Sequence, residues 1–170
     1  MLSESARAAS AAEARFRIDA PNSQPRAIKV IALDAPSEDV VKRLSQSQWN
    51  NATFLTASAF EASTQADRRF SMQGWLSDLA GRTKDLVDEI NSADLVVMVA
   101  SAGGDARAAS IIGEACSAKR VMTTVLVLGG AAVSDTALAH SLSLLRPWAL
   151  MLVIASAEEY IADMLTALRA

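Results

Sequence analysis

A chain of 170 residues with 51% hydrophobic and 21% charged residues is long enough for one domain with a real core, and that composition excludes a disordered chain. The net charge is only −3. Lys and Arg are scattered rather than gathered into a basic stripe, which excludes nucleic acid as a partner.

Residues 1–26 are rich in Ala, Ser and Arg and end with Pro21 and Pro25. Alanine favours a helix over Ser3–Arg17, and the prolines set that stretch off as an N-terminal arm. Residues 27–170 read as a single domain. Ile28–Asp34 is a short, mostly apolar run of the kind that forms a parallel strand covered on both faces. Pro36-Ser37-Glu38-Asp39 then opens a helix whose stripe is Val40, Val41 and Leu44. Ala52–Ala57 is a second strand. Residues 58–74 show no strong period, with Phe70-Ser71-Met72 as a short strand.

Thr83–Ile90 reads as the end of a helix with Leu86, Val87 and Ile90 on one face. Leu95–Ala100 is the clearest strand, followed by a glycine turn. A helix then runs from about Ala106 to Ala118, with Ala108, Ile111, Ile112 and Ala115 inward. Thr123–Leu128 (strand), Asp135–Leu145 (helix), Ala149–Ala155 (strand) and Ala157–Leu168 (amphipathic helix) complete the chain. Alternating strands and helices predict a three-layer Rossmann-like α/β domain, with a mostly parallel five- or six-stranded sheet flanked by helices.

Ligands of such folds sit beyond the carboxyl ends of the strands. The candidate ligand-binding residues are therefore Asp34, Ser58, Ser101, Ala102, Gly103, Gly104, Asp105, Arg107, Gly129 and Ser156. Paired glycines between a buried strand and a helix allow close backbone approach, and the free N–H groups of the helix start suit a phosphate or carboxylate. The plainer alternative makes Gly103 and Gly104 a turn and Asp105 a helix cap. Asp105 also opposes an anion unless Arg107 offsets it. Asp34 is either a ligand-holding carboxylate or a turn-forming acid before Pro36.

Cys116 and His140 are each the only residue of their type. A lone cysteine excludes an internal disulfide and fits a reducing compartment. In mid-helix it reads as a small buried hydrophobe rather than half of a Cys–His nucleophile pair. Neither residue has metal-site spacing, so no metal is expected. Trp49, Trp75 and Trp148 read as core or interface anchors. No apolar run is long enough to cross a bilayer and no targeting pattern opens the sequence, so a cytoplasmic protein without a membrane partner is expected.

The stretch Gly81-Arg-Thr-Lys-Asp-Leu-Val-Asp-Glu-Ile-Asn-Ser-Ala-Asp94-Leu-Val-Val-Met-Val-Ala100-Ser-Ala-Gly103-Gly104 resembles the approach to the glycine-rich phosphate loop of the tubulin/FtsZ superfamily. There a helix leads through an Ala-Asp pair into an apolar strand and then the loop. Ile28–Ala32 and Ala52–Leu55 are similar to that family's first two strands, and Ala149–Ile154 to its sixth. The resemblance spans about residues 28–165 and is specific around Ala93 to Gly104.

Three positions depart from the pattern. Asp34-Ala35-Pro36-Ser37 replaces a glycine cluster. Asp105, Ala106 and Arg107 replace the Gly/Thr tail of the loop. Ala155 and Ser156 stand where the family keeps Pro-Asn. The resemblance thus implies the nucleotide-binding architecture without intact GTPase motifs.

The functional expectation is a ligand-binding or self-assembly module, homo-oligomeric because of its surplus apolar content. The alternative is a small transferase or hydrolase acting on an anionic phosphate- or carboxylate-bearing substrate at the carboxyl edge, with Ser101–Asp105 as cradle and Asp34 or Ser58 supplying polar chemistry. Residual nucleotide binding without turnover is a third reading. No cofactor is required by the first two, and no catalytic residue is assigned.

Overall fold

The structure, a computed structural model, describes residues 25–57, 75–155 and 157–170. Its elements are β1 (Ile28–Ala32), α1 (Ala35–Leu44), β2 (Ala52–Thr56), β3 (Trp75–Asp78), β4 (Thr83–Asp85), α2 (Leu86–Asn91), β5 (Leu95–Ser101), α3 (Ala108–Lys119), β6 (Met122–Leu128), α4 (Asp135–Leu145), β7 (Met151–Ala155) and α5 (Glu158–Ala167). Short 3-10 turns at Gly130–Ala132 and Arg146–Trp148 bracket α4.

The strands form one sheet in the order β4-β3-β2-β1-β5-β6-β7. Five of them, β2-β1-β5-β6-β7, run parallel, and β3 and β4 add an antiparallel hairpin at one side. The sequence-based expectation of a mostly parallel, helix-flanked α/β sheet holds. The sheet is wider than the expected five or six strands because the hairpin supplies two short ones.

The hairpin explains a second difference. Thr83–Asp85, read from sequence as helix, is β4, and the helix starts only at Leu86. Asp85 ends the strand and caps α2, accepting from Asp88 N at 3.0 Å. Asp78 closes the β3–β4 turn: its carboxylate accepts from Ala80 N, Arg82 N and Arg82 Nε. The Phe70–Met72 strand, the arm over residues 1–24, and the candidates Ser58 and Ser156 lie outside the described residues.

The central strands read as continuous apolar runs because both faces are covered. Val30, Val97 and Leu126 pack with Val41 and Leu44 of α1 and Ile161 and Leu165 of α5. Ile31, Met98 and Val125 pack on the other face with Leu86 and Ile90 of α2, Ile112 of α3 and Leu145 of α4. Each such fully buried aliphatic side chain contributes about 1.5–3 kcal/mol. The C-terminal residues are tied to this core: Arg26 N donates to Arg169 O and Asn50 N to Ala170 O. No helix among the described residues is long and apolar enough to cross a membrane.

Lys29 is the polar exception in β1. Its ammonium pairs with Glu89 of α2 at 2.8 Å and donates to Thr53 Oγ1 at 3.2 Å. Both side chains of the pair are largely buried, at 11% and 17% exposure, so neither charge tolerates loss of the other. Glu89→Ala should destabilise the protein by about 3 kcal/mol in denaturant unfolding, whereas Lys29→Met with Glu89→Leu should return to within about 1 kcal/mol of the parent. Equal losses in both variants would show that the pair is solvated and the argument wrong.

Candidate functional site

The parallel strands leave β1 in opposite directions, β2 to one side and β5 to the other, so the carboxyl ends of β1 and β5 flank a topological switch point. Asp34 follows β1 there and Ser101 ends β5. The structure brings the two together over a sequence separation of 67. Asp34 Oδ2 accepts from Ser101 N at 2.7 Å, and Oδ1 accepts from Ser101 Oγ and Ser37 N, both at 2.9 Å. A carboxylate with only 7% of its residue exposed is tolerable only with such donors.

Asp34 has a second task. It is the N-cap of α1 in a reciprocal box with Ser37, whose Oγ accepts from Asp34 N at 3.2 Å. Ser37 is fully buried. Pro36 in the first turn adds a preset helical φ. The sequence alternative of a turn-forming acid is therefore met, together with a long-range contact that no local pattern contains.

The loop after β5 is bound to three elements. Ala102 N donates to Leu128 O of β6 at 2.8 Å, Gly103 N to Ser141 Oγ of α4 at 2.8 Å, and Gly104 N back to Ser101 O at 2.9 Å. Gly103 adopts φ 77°, a left-handed turn. Gly104 is required by proximity: a Cβ there would lie within van der Waals contact of Asp34 Oδ2 and 3.0 Å from its Cγ. Gly129, also left-handed at φ 69°, ends β6 beside this loop.

Asp105 and Arg107 form an ion pair, in which the Asp105 carboxylate also accepts from Arg107 N at 2.9 Å. Asp105 was expected to cap the helix; instead it folds a turn, and α3 begins at Ala108 with Arg107 as an N-cap that makes no side-chain cap bond. Ser141, which sequence reasoning did not single out, anchors the loop. Its signal was a hydroxyl on the inward stripe of α4 among Leu138, Leu142 and Leu145, where it donates to Ala137 O at 3.2 Å.

Cys116 is wholly buried in α3, and burial pushes its thiol up to about 12, the reverse of what a nucleophile needs. His140 lies on the exposed side of α4. Among the described residues no cluster of three His, Cys, Asp or Glu is placed to hold a metal ion. A cavity of about 350 Å³ opens at the opposite, amino edge of the sheet, walled by Val121, Met122, Pro147, Trp148 and Leu150 with Arg120 at its rim. It contains no paired titratable groups and none of the candidate ligand-binding residues, though Trp148, read from sequence as a core or interface anchor, forms one wall.

Comparison with protein-family models gives no match, and comparison with curated proteins gives no significant match.

Two outcomes test this geometry. Asp34→Ala and Gly104→Ala should each cost about 2 kcal/mol, through unpaired buried N–H groups and overpacking respectively. Their combination should cost about 1 kcal/mol less than the sum, because removing the carboxylate makes room for the methyl; strict additivity would place the two residues out of contact.

The thiol gives a pH test. A folded-state value above the unfolded one leaves stability intact below the unfolded value, near 8.5, and removes it as pH rises toward about 12. Between pH 9 and 10.5 the parent should lose about 1.4 kcal/mol per pH unit relative to Cys116→Ala, measured by urea unfolding. Parallel pH profiles would mean the thiol is solvated.

Proposed function

We propose that this chain is a self-assembly module built on a nucleotide-fold architecture, a degenerate relative of the tubulin/FtsZ GTP-binding domain whose phosphate loop has been turned to holding the fold. One observation carries the reading. The N–H groups of Ser101, Ala102, Gly103 and Gly104 are all hydrogen-bonded inside the protein, so the cradle that would receive a phosphate is already engaged. Asp34 supplies the anion itself, from the position where the resembling family keeps a glycine cluster. The work of the molecule then falls to its surface, and the large apolar side chains exposed among the described residues support a homo-oligomer; a single cysteine fits a reducing, cytoplasmic setting for it.

A second reading, a site for a small phosphate- or carboxylate-bearing ligand, draws on the start of α3, which has no side-chain cap. The two readings separate in one pair of measurements. The assembly module should sediment as a species larger than 17.9 kDa at micromolar concentration and show an unchanged Tm with GTP, ATP, inorganic phosphate or simple carboxylates. A monomer at every concentration would overturn the assembly reading. Stabilisation by about 2.7 kcal/mol with one of these ligands at about 100 times its Kd would establish the second.

A further inference from the structure

The two edges of the sheet are unlike. At one, β4 is three residues long and reads Thr83-Lys84-Asp85, the short, charged strand with which natural sheets discourage pairing. At the other, β7 reads Met151-Leu152-Val153-Ile154-Ala155, with no charge, proline or bulge. All six large hydrophobic side chains exposed among the described residues sit on β7 or on its neighbours: Leu150, Met151 and Ile154, with Met122 of β6, Leu144 of α4 and Tyr160 of α5. Leu150 is 77% exposed.

Among the described residues no strand pairs with the outer side of β7. Ala102 N donates to Leu128 O, and Ser101 pairs with Leu128, so the backbone groups of Leu126 and Leu128 face β5 while those of Val125 and Val127 face β7. In parallel register Val125 and Val127 bond the residues flanking Leu152 and Ile154. The N–H and C=O groups of Met151, Val153 and Ala155 are thereby turned to β6, and those of Leu152 and Ile154 point away from the sheet, in position to pair with another strand.

We propose that β7 is the assembly edge and that its occupant is β7 of a second copy, antiparallel and centred on Val153, joining two sheets into one of fourteen strands; this rests on the assembly reading above. The pairing is self-complementary. Leu152 faces the partner's Ile154 and Ile154 the partner's Leu152, two pairs that each exchange two hydrogen bonds. Val153 faces the partner's Val153, and Met151 the partner's Ala155, in the non-hydrogen-bonded positions between and beyond them. Leu144 and Tyr160 close over the new pair from opposite faces, since α4 and α5 cover opposite faces of the sheet. The six exposed side chains carry on the order of 600 Å² of accessible surface, most of the roughly 800 Å² per partner that a specific interface buries.

The test uses the full chain. Ile154→Lys, at a half-exposed position that a folded monomer accepts, should convert the dimer to monomer and weaken association at least 100-fold by sedimentation, with an unchanged circular dichroism spectrum. Register is read separately in the Cys116→Ala background with Leu152→Cys and Ile154→Cys chains. Mixed in equal amounts and mildly oxidised, they should give a disulfide-linked dimer, whereas either alone should not, because only opposed positions come within disulfide reach. A dimer that survives Ile154→Lys and yields no mixed cross-link would overturn this edge while leaving self-assembly standing. A parent chain that is monomeric throughout would overturn both, with the edge then covered by another segment or another protein.

Discussion

A buried carboxylate must be surrounded by donors, and at the switch point that requirement organises everything nearby. Asp34 sits where the sheet's connections diverge, and it takes one N–H from the start of α1 and an N–H and a hydroxyl from the end of β5. Those bonds fix the helix start, the exit of β5, and the need for a residue without a side chain at Gly104. In open α/β sheets the crevice at such a switch point is where ligands bind. Here an internal anion fills it, and the loop beyond is pulled onto β6 and α4 by Leu128 and Ser141.

Much of this was readable from the amino acids alone, for a physical reason. Strands covered on both faces must be apolar at nearly every position, so β1, β5 and β6 announce themselves, and the helices between them carry one-sided stripes. The β3–β4 hairpin escaped because its strands are four and three residues long and lie at a sheet edge, where neither length nor alternation accumulates enough signal. Thr83 to Ile90 carried a helical pattern only through Leu86 and Ile90; the strand ahead of them is defined by its partner, not by its own composition.

The site was legible in its members and not in its wiring. The carboxyl-edge rule put Asp34, Ser101 and Gly104 at one edge of the sheet, where the structure makes them neighbours, yet nothing local says that the acid turns inward onto the serine. The Lys29–Glu89 pair across 60 positions and the Gly103–Ser141 bond across 38 are likewise long-range facts. A lysine in a central strand and a serine on an inward helical stripe were the only hints, each a polar residue at a position that ought to be apolar.

The Asp34–Ser101 clasp also bears on how the chain reaches this fold. Neighbouring strands β5, β6 and β7 meet partners about 27 positions apart, as with Leu95 beside Met122 and Thr124 beside Met151. The clasp closes a loop of 67 positions, which costs about 0.8 kcal/mol more in chain entropy. Entropy therefore favours two local frameworks, the C-terminal strands and the β1–β2 pair, where Ile28 lies beside Ala52, with β1 docking onto β5 later. The hydrogen bonds that seal the switch point then form as a latch at the end of that docking, and they hold the two halves of the chain in register once it is complete.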